Sequence, residues 1–153
     1  MKLQMRKILT LLFLVLFAKD SNANVNMDVI KEIEGGGCRS NASCIGDNGL
    51  AVSYWQLHKG VIDDYNRAFG TKYMAKIREN EEKAKHIANW YMNFSIPKML
   101  KHKGTPVTLE SQLTAWNMGI GNAWKGRVAT AYVNKYKSIA KRKGIVYDRR
   151  TAN

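Results

Sequence analysis

The chain has 153 residues, with 25 lysines and arginines against 12 aspartates and glutamates, and a formal net charge of +13. This length suits one compact domain with a single core and argues against a second. The charge favours anionic partners, namely nucleic acid, a membrane surface or an acidic polymer.

Residues 1–23 are predicted to be a secretory signal peptide. The segment begins with the basic residues Lys2, Arg6 and Lys7, and an apolar run follows from Ile8 to Ala18. The small residues Ser21 and Ala23 then precede a cleavage point. The apolar run is shorter than the roughly 20 residues that cross a bilayer. An uncleaved anchor is the alternative. We expect an exported chain, periplasmic or secreted, with no stable membrane span after cleavage.

Export narrows the choice of anionic partners. Four basic side chains and one acidic side chain lie in residues 1–23, so the mature chain keeps a net charge of +10. Nucleic acid becomes the least expected partner, and the envelope with its anionic wall polymers becomes the favoured one. Cys38 and Cys44 are the only cysteines. In an exported protein they predict a disulfide that closes a small loop, and their spacing does not fit a zinc knuckle.

The first element of the mature chain is a predicted helix over residues 24–34, with apolar residues at helical spacing and Glu34 at the edge of its buried face. Gly35 to Gly37 should stop this helix, as glycine does where φ turns positive. A loop follows over residues 38–50. Residues 50–57 form the only predicted β element, a short strand or hairpin arm.

The rest of the chain predicts helices. One begins at Lys59 and ends at Gly70, and a long one carries an apolar stripe from Tyr73 to Tyr91 until Pro97 kinks or ends it. Two more are predicted, from a Thr105 or Thr108 cap to Gly119 and Gly121, and from about Val128 onward. The mature chain therefore divides into a mostly α domain over residues 24–143, with a small irregular β element, and a basic C-terminal tail over residues 144–153.

The sequence lacks the motifs of several kinds of catalytic and binding site. The triple glycine lacks the Gly-Lys-Ser/Thr of a phosphate-binding loop, and no serine or cysteine sits in a nucleophile elbow. The three histidines lack metal-ligand spacing, so neither a metal nor another cofactor is predicted. Glu34 is the candidate: the negative end of the helix dipole and partial burial both favour its protonated form, which a general acid for glycosidic cleavage needs. An ordinary exposed glutamate at the end of a surface helix is the alternative.

Four segments in order carry a family resemblance: Glu34, then Gly46-Asp47-Asn48-Gly49, then Ser53-Tyr54-Trp55-Gln56, then Ala115-Trp116-Asn117-Met118-Gly119. They resemble the lysozyme superfamily, specifically goose-type lysozymes and SLT-type (family 1) lytic transglycosylases. In these families a helix-ending Glu is followed by a Gly-Leu-Met-Gln turn and later by Ala-Tyr-Asn-x-Gly. Thr130-Ala131-Tyr132-Val133 is similar to a later transglycosylase motif, so the resemblance covers about residues 26 to 140.

The resemblance implies a lysozyme-like fold and a role for each matching residue. Glu34 would protonate the glycosidic oxygen between N-acetylmuramic acid and N-acetylglucosamine and then act as base, with Tyr132 orienting it. Asp47 would assist an attacking water in a hydrolase. The sugars would be bound by hydrogen bonds and ring stacking from Gln56, Asn117, Tyr54, Trp55 and Trp116. For each of these residues a structural role is the alternative: turn for Asp47 and Gln56, core packing for Trp116 and Tyr132.

Three departures from the family pattern bear on mechanism. Gly35 replaces the serine that usually follows the catalytic Glu, only the Gln of the Gly-Leu-Met-Gln turn is kept, and His58 replaces a second goose-type acid. The interpretation is a monomeric, cofactor-free enzyme that cleaves peptidoglycan glycan strands, with transglycosylation favoured over hydrolysis because His58 stands at that position. The alternatives are a hydrolysing muramidase using Glu34 and Asp47, and a non-catalytic cationic protein that binds the wall.

Overall fold

The computed structural model describes residues 24–147. The predicted signal peptide and residues 148–153 of the predicted tail lie outside the described residues. The described chain is mostly helical with one small three-stranded antiparallel sheet, which confirms the predicted mostly α class.

Helix α1 spans Met27–Gly35 and buries one face. Asn26 begins it by accepting hydrogen bonds from the backbone N–H groups of Asp28 and Val29, at 2.9 and 3.3 Å. Val29 and Ile30 are fully buried, and Glu34 lies in the last turn. None of the three following glycines has a positive φ, so the predicted conformational reason for glycine at this helix end is wrong.

The sheet consists of three two-residue strands, β1 Ile45–Gly46, β2 Ala51–Val52 and β3 Leu57–His58, paired in chain order. A 3₁₀ turn, Asp47–Gly49, joins the first two. The predicted strand over residues 50–57 is too long, because residues 53–56 form a turn. The predicted disulfide between Cys38 and Cys44 is present directly before β1.

Helix α2, Lys59–Phe69, ends as predicted at Gly70, whose φ of +65° is the left-handed conformation that glycine adopts easily. The predicted long helix is divided into four parts: a 3₁₀ turn Ala75–Glu79, α3 Glu81–Trp90, a π-turn Tyr91–Ser95, and α4 Ile96–His102. Pro97 does not end the helical path, which continues to His102. It sits in the first turn of α4, where its missing N–H costs little.

Helix α5, Leu109–Met118, begins with a capping box between Thr108 and Ser111, so Thr108 rather than Thr105 is the cap. Gly119, at φ +85°, separates α5 from a short helix that the sequence did not predict, α6 Ile120–Trp124. Helix α7, Thr130–Arg142, closes the fold by packing on α1 and α5.

The core surrounds α1 and contains the largest fully buried side chains. Trp55 is one of them, and its indole N–H donates to the carbonyl of Met27 at 2.9 Å. Asn93, in the π-turn, binds the backbone N–H and C=O of Val25 through its side-chain amide. These bonds tie the N-terminal end of α1 and the residues before it to the sheet segment and to the middle of the helical body.

Candidate active site

A cleft of about 270 Å³ opens between the end of α1, the small sheet and the C-terminal end of α5. It brings together side chains from distant parts of the sequence. Its lining comprises Glu34, Asp47, Gln56, Leu57, His58, Val61, Tyr91, Trp116 and Asn117. Five of the predicted site residues therefore line one cleft.

Glu34 is held by two hydrogen bonds to the same carboxylate oxygen. The Tyr132 hydroxyl lies 2.6 Å from Oε1, and the Trp116 indole N–H donates to Oε1 at 3.2 Å. Within residues 24–147, Oε2 of Glu34 receives no hydrogen bond. The carboxyl group is thus fixed in orientation through one oxygen, while the other remains available to a ligand in the cleft.

Tyr132 is suited to act as a donor to this carboxyl group. Burial raises the pKa of Tyr132, and the neighbouring Glu34 carboxylate raises it further by repelling a phenolate and by accepting its hydrogen bond. The phenol therefore stays protonated across the physiological range. The Trp116 indole N–H can only donate, so its bond to Oε1 has a fixed polarity, and the protonated Tyr132 hydroxyl also has a hydrogen to donate.

Asp47 lies on the opposite wall and differs from Glu34 in its surroundings. Its Oδ2 lies 2.9 Å from Nε2 of His58, and the side chains are 64% and 53% exposed. His58 occupies the N-cap position of α2 without making a side-chain capping bond. Its imidazole faces Asp47 instead.

Gln56 is largely committed to the turn that carries it. Its Nε2 donates to the carbonyl of Ser53 at 3.0 Å and lies 3.4 Å from the sulfur of Cys44. Its Oε1 lies over Gly46, where an added Cβ would come within 1.8 Å of it. The amide N–H₂ thus stabilises the turn, although the side chain also lines the cleft.

The exposed side chain of Asn117 also lines the cleft and makes no hydrogen bond to another described residue. Its amide can both donate and accept, so it is suited to bind a polar ligand. Tyr91, which the sequence assigned only to the apolar stripe of a long helix, lies beside Trp116 with ring centroids 6.2 Å apart. The π-turn that begins at Tyr91 gave no signal in the sequence.

Two predicted sugar-stacking residues do not reach the cleft. Trp55 is fully buried, so neither face of its ring is available and the stacking role is wrong. Tyr54 is half-buried and is not part of the cleft lining; the ammonium group of Lys31 lies 4.2 Å from its ring centroid. Trp116 is half-buried, and its contacts with Glu34 and Tyr91 combine packing with a place in the cleft wall.

Gly35 and Tyr54 are in close contact. A Cβ added to Gly35 would lie 2.8 Å from Cδ1 and 2.9 Å from the carbonyl oxygen of Tyr54. A serine after Glu34 would therefore collide with this segment, whereas glycine allows it to pack against the end of α1. Gly35 and Tyr54 therefore form one packing unit.

Within residues 24–147, no group of three or more His, Cys, Asp and Glu side chains is placed to hold a metal ion. In the same range, no helix has both the length and the apolar character needed to cross a membrane. Comparison with protein-family models, with curated proteins and with solved structures finds no match to this chain.

Proposed function

We propose that this chain is an exported lytic transglycosylase of lysozyme-like fold that cleaves the β-1,4 bond between N-acetylmuramic acid and N-acetylglucosamine. The observation that carries the proposal is the pair of hydrogen bonds from Tyr132 and Trp116 to Oε1 of Glu34 in the wall of a cleft. One carboxyl group with a fixed orientation and a second oxygen open to ligand is what a general acid and base requires.

The reaction would use Glu34 twice. Protonated Glu34 gives its proton to the glycosidic oxygen, the bond from that oxygen to C1 of the muramic acid breaks, and the N-acetylglucosamine portion leaves with a hydroxyl group. The Glu34 carboxylate then takes the proton of the muramoyl 6-hydroxyl while that oxygen bonds to C1. The product is a 1,6-anhydro ring, Glu34 is protonated again, and no water is consumed.

Other residues of the cleft would bind and orient the sugar. Asn117 has an unbonded, exposed amide that fits a hydroxyl or N-acetyl group. Trp116 and Tyr91 supply aromatic surface in the same wall. Gln56 would contribute mainly by keeping its turn in place, because its N–H₂ group already donates to Ser53.

A hydrolysing muramidase is the second candidate, and Asp47 is the observation that favours it. Asp47 lines the same cleft as Glu34, and its neighbour His58 is exposed to solvent. In this scheme a water placed by Asp47 would attack C1 and leave a reducing muramic acid. The exposed setting of Asp47 makes it a weaker positioning group than the residues around Glu34, so transglycosylation remains our choice.

Mass spectrometry of the fragments released from purified peptidoglycan separates these reactions. We expect muramic acid residues that end in 1,6-anhydro rings. Fragments that all end in reducing muramic acid would overturn the transglycosylase proposal and support the hydrolase.

Glu34→Gln tests whether the chain is an enzyme. It keeps the shape of the side chain but removes the transferable proton, and we expect at least a thousandfold loss of cleavage. Glu32→Gln is the matched control, because Glu32 is on the same helix but bonds Arg142 and Lys143 outside the cleft. If the chain only binds cell walls through its charge, Glu34→Gln and Glu32→Gln should behave alike. Wall binding should then fall steeply as the salt concentration rises.

A further inference from the structure

A separate surface of the molecule combines unpaired cations with exposed apolar side chains. It is formed by α6 and its flanks, and we call it the α6 surface: Met118, Trp124, Val128, Lys103, Lys125 and Arg127. Two sets of contacts join parts of this surface. Lys103 Nζ lies 5.4 Å from the ring centroid of Trp124, and Arg127 donates to Asn122, which in turn bonds the carbonyl of Met118.

The charge of this surface reflects an asymmetry along the chain. Residues 24–82 contain seven basic and nine acidic side chains, whereas residues 83–147 contain twelve basic side chains and one acidic. That single acid, Glu110, is bonded to Lys137. Within residues 24–147, Lys103, Lys125 and Arg127 have no carboxylate partner. The α6 surface therefore carries three uncompensated positive charges.

The apolar part distinguishes the type of anionic partner. Met118, Trp124 and Val128 are 40%, 39% and 50% exposed among these cations. A soluble polyanion would need only the charges, and exposed tryptophan and aliphatic side chains would add little to its binding. A bilayer interface offers anionic headgroups to the cations and an acyl boundary to the apolar side chains.

We propose that the α6 surface docks on an anionic phospholipid bilayer. Lys103, Lys125 and Arg127 contact the headgroups, and Trp124 enters the interface between them. Met118 follows Asn117 directly, so docking would hold the rim of the Glu34 cleft close to the membrane. The inference rests on exposure and charge outside the cleft and stands independently of the proposed enzyme activity.

The test uses the full chain and vesicles of phosphatidylcholine with or without phosphatidylglycerol. Each cation near an anionic surface contributes about a fivefold gain in binding, so K103Q/K125Q/R127Q should bind the anionic vesicles roughly a hundredfold more weakly. K72Q/K76Q/R78Q removes the same net charge from the other part of the chain and should lose less than about fivefold. Equal losses would mean that net charge alone governs binding and would overturn the proposal.

A local measurement excludes binding through another segment, including residues 1–23. Bromine atoms on the lipid chains quench a tryptophan that enters the interface, so anionic brominated vesicles should quench the wild-type chain more than W124F. Equal quenching of the two proteins overturns the assignment, even if both sediment with vesicles. If the K103Q/K125Q/R127Q substitution weakens binding to soluble polyphosphate while Trp124 shows no quenching, the partner is a polymer rather than a bilayer. Circular dichroism checks that each variant is folded.

Discussion

The two walls of the cleft are built in different ways. The helical wall takes its side chains from three helices, namely Glu34, Trp116, Asn117 and, behind Glu34, Tyr132. Its bonds to Glu34 join residues 82 and 98 positions apart. The sheet wall, Asp47, Gln56 and His58, comes from one short segment and relies on local bonds.

The backbone shows the same contrast. Among residues 24–147, four non-glycine residues have positive φ, namely Asp47, Asn48, Ser53 and Gln56, and all belong to the segment of the sheet wall. The side chains of the helical wall come from regular helix. Tertiary packing thus fixes the orientation of Glu34, whereas strained turns only bring Asp47 to an exposed position. A proton-transferring group benefits from the first arrangement.

The largest effect should follow from removing both donors of the helical wall. W116F/Y132F leaves the carboxyl of Glu34 without the two bonds to Oε1 that hold it in one orientation for proton transfer. We expect glycan cleavage to fall by on the order of a hundredfold or more, measured as turnover on purified peptidoglycan. Y136F is the control, because the Tyr136 hydroxyl lies on the same helix but accepts from the N–H of Asn26. An unchanged turnover would show that the orientation of Glu34 does not matter.

Substitutions in the sheet wall should affect the stability of the protein more than its rate of glycan cleavage. In G46A the new Cβ would lie 1.8 Å from Oε1 of Gln56, so the end of the Gln56 side chain must shift and its bond to Ser53 is weakened. We expect the free energy of unfolding to fall by about 0.5–1.5 kcal/mol in urea titrations, the contribution of one hydrogen bond. G37A is the matched control, since nothing lies within 4 Å of that position. Equal stabilities for the two variants would refute the packing role of Gln56.

Alkaline pH should lower the stability of the protein through Tyr132 of the helical wall. Burial raises the pKa of Tyr132 in the folded state, above the value of about 10 of an unfolded chain. Its contribution to stability is therefore complete below pH 10 and is lost as the pH rises beyond it. Up to about 1.4 kcal/mol per pH unit is expected from one proton. Unfolding measured between pH 8 and 11 should show a shallower decline for Y132F, and parallel curves would contradict this assignment.

The smallest effect is expected at Asp47. Exposed ion pairs contribute about 0–1 kcal/mol, so D47N should leave stability nearly unchanged. If the reaction is a transglycosylation, the cleavage rate should also fall by less than about fivefold. H58Q, which removes the other partner, provides the comparison. A loss similar to that of Glu34→Gln would instead give the sheet wall an essential part in catalysis and favour the hydrolase.

Local signals in the sequence were sufficient for part of this fold. The end of α2 at Gly70, the Thr108 cap and the Cys38–Cys44 disulfide all follow from chemistry within a few residues of each feature. The place of Glu34 in the last turn of α1 was predictable for the same reason. These features need no knowledge of the rest of the chain.

Features that depend on distant contacts were not predictable in this way. Trp55 looks like a surface aromatic in a turn, but it enters the core because Met27 offers its indole a buried carbonyl. The π-turn at Tyr91–Ser95 places a backbone carbonyl, that of Met92, against the side-chain amide of Gln112 at 3.1 Å. The separate helix α6 also packs against α4, from which α5 separates it in the sequence. The partners in the first two cases lie 28 and 20 residues away, and in the third case a whole helix lies between.

The hydrogen bonds to Glu34 also have a consequence for the order of synthesis. Glu34 is made early, but its partners Trp116 and Tyr132 come 82 and 98 residues later, and α7 must dock on α1 before the second bond exists. A nascent or truncated chain that ends before Thr130 would contain the acidic residue without the group that orients it. Competence of the site is therefore acquired only when the last helix is in place.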